Sequence, residues 1–358
     1  MEPAEMIRKK PGMYIGGTDN RAVRHMIWEV VANSIDEHLA GRCSKIVVEI
    51  GADGSISVED NGRGISLAET DGVSLAERAL TSMHRTPTLD GHAPHEHIGG
   101  FGLGLFPVCA LSAWLELRVS QGGRQFSQRF ARGRAISKLR DDGPANSTGT
   151  RITFAPDPEI FYSSLDSGPI LARLHELTYF LPKLTIHFTD RRQHVFHEPH
   201  GLRAFVNAQS PPHAGEPTFT ATGLVREVAV EAVMRWSPTG WPSSIESFAN
   251  IQPTTQGGTH TRGLILGLVA GLKQVAPGAC APQSPGKLER AVSQGLIAVV
   301  CVRLNNPTYG APTKDRLATP AARLAVKKCV AAAFPAFLEK ERGLLDRILS
   351  DLGATSNE

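Results

Sequence analysis

Three polar side chains on a predicted helix near the start of the chain could act together in chemistry. Glu29, Asn33 and Asp36 are spaced by four and three residues, so they form one strip on the helix surface. Asn33 is a poor helix former in mid-helix, and its amide oxygen suits Mg²⁺, which prefers hard oxygen ligands. Glu29, one turn earlier, could then deprotonate a water that attacks a terminal phosphate. A solvated polar helix face is the alternative interpretation of this strip.

A carboxylate at the end of a predicted strand supplies a second element. Asp60 ends this strand and is followed by Asn-Gly-Arg-Gly, in which the glycines allow positive φ or close approach of a ligand. Because an ionised carboxylate only accepts hydrogen bonds, Asp60 suits the exocyclic amino group of adenine. Arg63 could stack on a base or pair with another charge. A hairpin turn with a surface arginine is the alternative here.

A glycine-rich run before an apolar helix supplies the third element. Gly99-Gly100-Phe101-Gly102-Leu103-Gly104 can point backbone N–H groups at phosphate. The run is no dinucleotide-binding fingerprint, because no early βαβ unit surrounds it. It is no Walker A loop either, because Gly-Lys-Ser/Thr does not follow. Together the three elements predict a pocket that binds and hydrolyses ATP.

Helices and strands must position these residues. We predict helices over about 18–39, 73–84, up to 111, 171–180, 261–275 and from 320 onward with a break at Pro335. We predict strands over about 47–50, 55–59, 115–119, 125–130, 150–154, 184–188, 225–236 and 296–304. Loops are predicted over 85–96 and 278–287. A stretch rich in Pro, Gly, Ala and Thr at 210–222 predicts a junction between domains 1–210 and 211–358.

The composition bounds the class of protein. A chain of 358 residues suggests roughly two domains, and its apolar content of 41% supports ordinary packed cores. The net charge of +3 is too small to indicate nucleic-acid binding by itself. The five cysteines include no Cys-x-x-Cys pair, no segment is long enough to span a bilayer, and no signal peptide opens the chain. We therefore expect a cytoplasmic protein without a membrane partner.

Taken in order, these motifs resemble the Bergerat-type (GHKL) ATPases. The closer resemblance is to the ATPase plus transducer region of the B subunits of type IIA DNA topoisomerases, gyrase B and topoisomerase IV B. It implies an α+β fold, in which a Bergerat-type α/β sandwich ATPase domain precedes a β-α-β transducer domain. The residues that carry the resemblance cover nearly the whole chain and lie at 8–16, with its Pro-Gly-Met-Tyr-Ile-Gly block, and at 29–41, 58–65, 257–260, 295–300 and 313–317.

The resemblance also implies roles for individual residues. Glu29 would be the general base, Asn33 the Mg²⁺ ligand and Lys314 a contact from the second domain to the γ-phosphate. Asp60 would read the adenine amino group, with Thr150 assisting through water. The remaining implied nucleotide-binding residues flank the base or wrap the triphosphate: Arg63, Gly64, Ile65, Gly99, Gly100, Phe101, Gly102, Leu103 and Gly104.

Several residues depart from the family pattern. Pro312 replaces a glutamine before Thr-Lys, Phe101 replaces a histidine, and a strand arginine expected near Ser127 is absent unless the register shifts to Arg129. The arm before Pro11 is short, and the chain ends before the family's metal-binding DNA-cleavage domain. We therefore expect ATP binding more than we expect fast turnover. We expect no strand passage by this polypeptide alone.

Two functions remain open at this point. The first is Mg²⁺-dependent ATP binding and hydrolysis by a gyrase-B-like module. Such a module would form a homodimer on nucleotide binding and would reach DNA only through a topoisomerase partner subunit. The alternative is a non-hydrolysing paralogue that binds ATP or an inhibitor and acts as a sensor or sequestering protein. The Pro-Gly-Met-Tyr-Ile-Gly block disfavours a relative of MutL or the histidine kinases.

Overall fold

The computed structural model describes residues 2–83, 104–162, 165–209, 217–237, 242–311 and 313–353. These residues form two compact units, which divide between Pro199 and His200. Both units combine helices with a sheet, so the fold is α+β. The division lies before the junction predicted at residue 210, and the domain boundaries stay a prediction. None of the helices in the described ranges is both long and apolar enough to cross a membrane.

The first unit contains six helices within its described residues. They are α1 (Pro3–Lys9), α2 (Gly12–Ile15), α3 (Asn20–Leu39), α4 (Leu75–Thr81), α5 (Leu105–Ala110) and α6 (Gly168–Phe180). Its strands are β1 (Lys45–Ile50), β2 (Ile56–Asp60), β3 (Glu69–Thr70), β4 (Val73–Ser74), β5 (Ser112–Gln121), β6 (Arg124–Ala131), β7 (Arg134–Ala135), β8 (Arg140–Pro144), β9 (Gly149–Pro156), β10 (Thr185–Thr189) and β11 (Gln193–Phe196).

A nine-stranded sheet forms the base of the first unit. The strand order is β11-β10-β1-β2-β9-β5-β6-β7, with β8 also paired to β6. One row across four strands joins Val48, Val58, Ile152 and Leu117, all of which are buried. Helices α3 and α6 contact the sheet. Because side chains alternate along a strand, Asp60 lies on the same face as Val58.

The helix that carries the polar strip begins and ends where the sequence predicts. Asp19 precedes α3, and its carboxylate accepts hydrogen bonds from the backbone N–H groups of Arg21 at 3.0 Å and Ala22 at 3.2 Å. This is the cap that an aspartate provides for otherwise unpaired helix N–H groups. The apolar side of α3 is buried, so the helix presents its polar strip on the remaining side.

The second unit is a five-stranded sheet with helices on it. Its strands are β12 (Thr218–Val225), β13 (Val228–Trp236), β14 (Ser244–Ala249), β15 (Gln252–Pro253) and β16 (Leu296–Arg303), in the order β12-β13-β16-β14-β15. Its helices are α7 (Leu202–Gln209), α8 (Thr259–Val275), α9 (Pro277–Cys280), α10 (Pro285–Ser293), α11 (Pro320–Lys340) and α12 (Arg342–Asp351). β14 and β16 are parallel, and α8 lies between them in the chain, so this is a β-α-β unit.

Three glycines let two helices of the second unit approach closely. Gly263, Gly267 and Gly271 are spaced by four along α8, so they share one face. A Cβ atom on Gly267 would lie 2.7 Å from Cβ of Val330, and one on Gly271 would lie 2.9 Å from Cβ of Phe334. Since real Cβ atoms do not approach that closely, α11 can pack here only against glycine.

Two secondary-structure predictions in this unit are wrong, namely the helix break at Pro335 and the loop over 278–287. α11 continues through Pro335 to Lys340, although proline leaves the carbonyl four residues earlier without its helical donor. That carbonyl, of Ala331, instead accepts a 3.3 Å hydrogen bond from Nε2 of Gln274 on α8. The predicted strand 225–236 is largely confirmed by β13, but β13 begins at Val228, because Arg226 and Glu227 adopt φ of 47° and 65° and reverse the chain after β12. The predicted loop 278–287 contains α9 residues and the start of α10.

Candidate active site

A hydrogen bond joins the helix strip to the end of the β2 strand. The hydroxyl of Ser34, next to Asn33 on α3, donates to Oδ2 of Asp60 at 2.9 Å. The backbone N–H of Gly62 donates to the other oxygen, Oδ1, at 2.8 Å. Asp60 is 8% exposed. The carboxylate is therefore fixed in orientation beside α3, and its remaining lone pairs can accept one further hydrogen bond from a ligand.

Burial affects the pKa of this carboxylate. It raises the pKa of Asp60 above the ordinary value, while the hydrogen bonds from Gly62 and Ser34 act in the opposite direction and Glu37 adds a like charge. A carboxylate kept ionised in such a place lacks the hydration that it has in water. A ligand that donates a hydrogen bond to it would replace part of that hydration.

Glycines let the chain after Asp60 lie directly against β9. A Cβ on Gly149, which has φ of 146°, would be 1.9 Å from the Asp60 carbonyl oxygen. One on Gly64, with φ of 87°, would be 2.9 Å from Cγ1 of Val119. The backbone N–H of Ile65 donates to Oγ1 of Thr150 at 2.9 Å. The structure thus brings four predicted site residues together: Asp60, Gly64, Ile65 and Thr150.

Glu29 is held between a histidine and a glycine. Oε1 of Glu29 lies 3.2 Å from Nε2 of His25, one turn earlier on α3, and the Glu29 side chain is 18% exposed. A Cβ on Gly104, just before α5, would lie 1.9 Å from Oε2 of Glu29. The carboxylate therefore packs against bare backbone at the start of α5. Such a carboxylate, oriented by a neighbour and still partly accessible, can accept a proton from water.

Asn33 lies on the exposed side of α3 next to Glu29. Its Nδ2 donates a 2.8 Å hydrogen bond to the Glu29 carbonyl oxygen, which leaves the amide oxygen as a potential metal ligand. Across the described ranges, no group of three or more His, Cys, Asp or Glu side chains could hold a metal ion. One amide oxygen fits Mg²⁺ bound mainly by phosphate and water, which is how Mg²⁺ often binds with nucleotides.

Two residues of this site were missed by the sequence reasoning. Oε1 of Glu37 lies 3.3 Å from Nε of Arg63, so this glutamate restrains the predicted base-flanking arginine. Glu37 also pairs with Nε of Arg42 at 3.1 Å. With His25, these contacts extend the strip at a spacing of four residues: His25, Glu29, Asn33 and Glu37. That spacing is visible in the sequence and could have identified both residues.

Five predicted residues of the glycine-rich run lie outside the described residues: Gly99, Gly100, Phe101, Gly102 and Leu103. Only Gly104 of that run is described.

Pro312, the departure from the family pattern next to Thr313, also lies outside the described residues. Lys314 belongs to the second unit, where its side chain is exposed and its backbone adopts φ of 58°. Its predicted contact with the γ-phosphate stays a prediction.

Comparisons with known proteins agree across both units. A family model described as "Histidine kinase-, DNA gyrase B-, and HSP90-like ATPase" matches residues 18–160, and one described as "DNA gyrase B" matches residues 201–357. The chain is 34% identical to the DNA gyrase B protein of Synechocystis sp., over 98% of this chain and 34% of that protein. It is 35% identical to the DNA gyrase B protein of Thermus thermophilus, over 91% of this chain and 53% of that protein.

A solved structure matches nearly the whole chain. It is the crystal structure of the 43K ATPase domain of Thermus thermophilus gyrase B in complex with an aminocoumarin. The two share 32% identity with a TM-score of 0.83, and the match covers 98% of this chain and 94% of that one. The chain spans about a third to a half of the length of the curated relatives described above.

Proposed function

The chain belongs to the GHKL ATPases and matches the ATPase plus transducer region of gyrase B, and we propose that it binds Mg·ATP and hydrolyses it. Its fold is accordingly the Bergerat-type α/β sandwich followed by a β-α-β transducer. The observation that best supports the proposal is the Ser34–Asp60 hydrogen bond, which brings the helix strip and the strand-end carboxylate into one site.

In this proposal Asp60 recognises the adenine. Its ionised carboxylate would accept a hydrogen bond from the exocyclic amino group, and Thr150 would assist through a water molecule. Support comes from the two donors that fix the carboxylate, Ser34 and Gly62. Arg63, restrained by Glu37, would flank the base together with Gly64 and Ile65. A base that lacks the amino group would leave the buried carboxylate partly unsatisfied and would bind more weakly.

Glu29 would be the general base. Its carboxylate would orient a water next to the γ-phosphate and accept its proton, while His25 holds the carboxylate in place. Asn33 would hold the metal through its amide oxygen. A bound Mg²⁺ neutralises charge on the β- and γ-phosphates. Gly104, with the predicted residues 99–103 before it, would contribute backbone N–H groups to the triphosphate.

Lys314 would contact the γ-phosphate and thereby distinguish ATP from ADP. A cation that contacts only the third phosphate loses its ligand on hydrolysis, which can couple turnover to a conformational change. The relatives are gyrase B proteins, so we also propose a homodimer that forms on nucleotide binding and a topoisomerase partner subunit. DNA would be reached only through that partner.

Phosphate release tests the proposal. Glu29→Gln keeps the shape of the side chain and removes the base, so we expect turnover to fall about 10²- to 10⁴-fold. Glu69→Gln, which changes an exposed glutamate of the same unit, is the matched control and should retain turnover. A wild-type chain that binds ATP without releasing phosphate would instead support the non-hydrolysing paralogue. Failure to bind any adenine nucleotide would reject ATP hydrolysis and would leave only the inhibitor-binding form of the alternative.

A further inference from the structure

Gln256, which has no role in the proposed function, contacts the segment that carries Lys314. Lys314 lies between Tyr309 and Leu317, which form an isolated β-bridge. The bridge brings the two ends of this segment together. Within it, the backbone N–H of Lys314 donates to the Ala311 carbonyl at 3.1 Å, and that of Gly310 donates to the Arg316 carbonyl at 2.9 Å. Two backbone hydrogen bonds therefore restrain this segment.

Lys314 itself adopts a backbone conformation that L-residues rarely adopt. Its φ of 58° lies in the left-handed region, which is unfavourable for a residue with a Cβ atom. Such a conformation persists only when neighbouring contacts hold it. The contacts that hold Lys314 should therefore be found on the residues directly before and after it.

Gln256 supplies two such contacts to the next residue, Asp315. Its backbone N–H donates to the Asp315 carbonyl at 2.8 Å, and its side-chain Nε2 donates to Oδ2 of Asp315 at 2.6 Å. The second of these is a hydrogen bond to an ionised group, which is stronger than one between neutral groups. One glutamine thus fixes both the backbone and the carboxylate of the residue that follows Lys314.

The segment around Gln256 is rigid enough to act as an anchor. Gly257 accepts a 3.0 Å hydrogen bond from the Leu317 N–H, and the Thr259 N–H donates to the Leu317 carbonyl at 2.9 Å. A Cβ on Gly258 would lie 2.2 Å from that carbonyl oxygen, so only glycine fits. On the other side, Thr254 is buried and hydrogen bonded to Ser247 of β14 and to His260 of α8.

We propose that Gln256 is a positioning residue that presents the Lys314 ammonium to the γ-phosphate by holding Asp315. The proposal rests on the proposed function of Lys314. The hydrogen bond from Gln256 to Asp315 has a second consequence. The Asp315 carboxylate is the negative charge nearest to Lys314 in sequence. While Gln256 occupies Oδ2, that carboxylate is directed to the amide. Once released, it would be free to pair with the neighbouring ammonium and compete with phosphate for it.

The test compares two nucleotides that differ in the third phosphate. Calorimetry on the full chain measures the affinity of a non-hydrolysable ATP analogue and of ADP. Gln256→Ala should weaken binding of the analogue about three- to tenfold, as expected for loss of a charge-assisted hydrogen bond, and leave ADP binding unchanged. In a Lys314→Ala background the same substitution should have no further effect, because the residue that it positions is gone.

A swapped pair separates positioning from general structure. Gln256→Glu with Asp315→Asn exchanges acceptor and donor, so it should restore both the hydrogen bond and the affinity for the analogue. Gln283→Ala is the matched control, since it removes a glutamine whose Nε2 bonds to the Leu352 carbonyl elsewhere in the second unit. Amide hydrogen exchange of residues 309–317, measured without nucleotide, should be faster in Gln256→Ala and normal in the swap.

Two results would overturn the proposal in distinguishable ways. If the wild type binds both nucleotides but Gln256→Ala weakens them equally or leaves exchange in 309–317 unchanged, the positioning role is wrong and the proposed function stands. If the wild type binds neither nucleotide, the proposed function is wrong and the role of Gln256 fails with it.

Discussion

The hydroxyl of Ser34 donates a 2.9 Å hydrogen bond to the carboxylate of Asp60, and this contact joins two parts of the chain that are 26 residues apart. Because Ser34 follows Asn33 on α3, the contact fixes the helix strip relative to the end of β2. Glu29, Asn33 and Asp60, which we propose as base, metal ligand and adenine-reading carboxylate, are thus linked through this contact.

Replacing Asp60 by Asn should reduce nucleotide affinity. Asn can still accept from the Gly62 N–H, but its amide nitrogen would face the adenine amino group, and two donors would meet. We expect affinity for adenine nucleotides to fall roughly tenfold to a hundredfold. Calorimetry with ADP measures this, since ADP binding does not depend on the γ-phosphate. Unchanged ADP affinity would show that Asp60 does not recognise the adenine.

The same substitution should change how stability depends on pH. Burial raises the pKa of Asp60 in the folded protein above its unfolded value, so the folded state holds the proton more tightly. This group therefore favours folding at acid pH, and the contribution is lost as pH rises through the folded pKa. Asp60→Asn should thus be more stable than the wild type at neutral pH, and the difference should shrink on acidification. Thermal unfolding across pH measures it, and a constant difference would contradict it.

Gly104→Ala should lower turnover by displacing the carboxylate of Glu29, the proposed base. The new Cβ would lie 1.9 Å from Oε2 of Glu29, so the carboxylate or the start of α5 must move. Misplacement of a catalytic group by about 1 Å can reduce rate roughly a hundredfold. Phosphate release checks this against Gly278→Ala, where a new Cβ meets nothing within 4 Å. Equal turnover in the two variants would show that Gly104 is not needed to position Glu29.

Asn33→Ala should raise the Mg²⁺ concentration needed for nucleotide binding. The amide oxygen is the only protein ligand that we assign to the metal, so its loss leaves phosphate and water alone. Asn33→Asp keeps an oxygen at the same position and should preserve Mg²⁺ dependence. Titration of Mg²⁺ at fixed analogue concentration measures both variants. If Asn33→Ala and the wild type need the same Mg²⁺, the assignment of Asn33 is wrong.

Gly267→Ala should destabilise the second unit. The added Cβ would lie 2.7 Å from Cβ of Val330 and 3.0 Å from the Lys327 carbonyl, so α8 and α11 must separate. Overpacking of this kind typically costs about 1–3 kcal/mol. Gly343→Ala on α12, where a new Cβ meets nothing within 4 Å, should instead stabilise the helix by up to about 1 kcal/mol. Denaturant unfolding compares them, and a neutral Gly267→Ala would contradict this packing.

Much of the first unit could be predicted from the sequence because local signals and burial agree there. Asp19 begins α3, the apolar side of that helix is buried, and Asp60 ends β2, all as the pattern indicates. The contacts of His25 and Glu37 were missed, because a strip identifies a face of a helix but not which residues on other elements it meets.

The second unit shows what the sequence could not reveal. Pro335 normally ends a helix, yet a side chain from another helix replaces the missing hydrogen bond. The hydrogen bond from Gln256 to Asp315 joins residues far apart in the chain, and no local sequence pattern indicates it. Such features depend on tertiary contacts, which propensity and periodicity do not contain.

The account rests on Glu29, Asn33 and Asp60 acting on one Mg²⁺-bound adenine nucleotide. Calorimetric titration of the full chain with a non-hydrolysable ATP analogue, with and without Mg²⁺, tests this most directly. We predict one nucleotide per chain, Mg²⁺-dependent affinity, and loss of binding in Asp60→Ala. A wild-type chain that gives no binding heat, or an Asp60→Ala variant that binds as the wild type does, would contradict it.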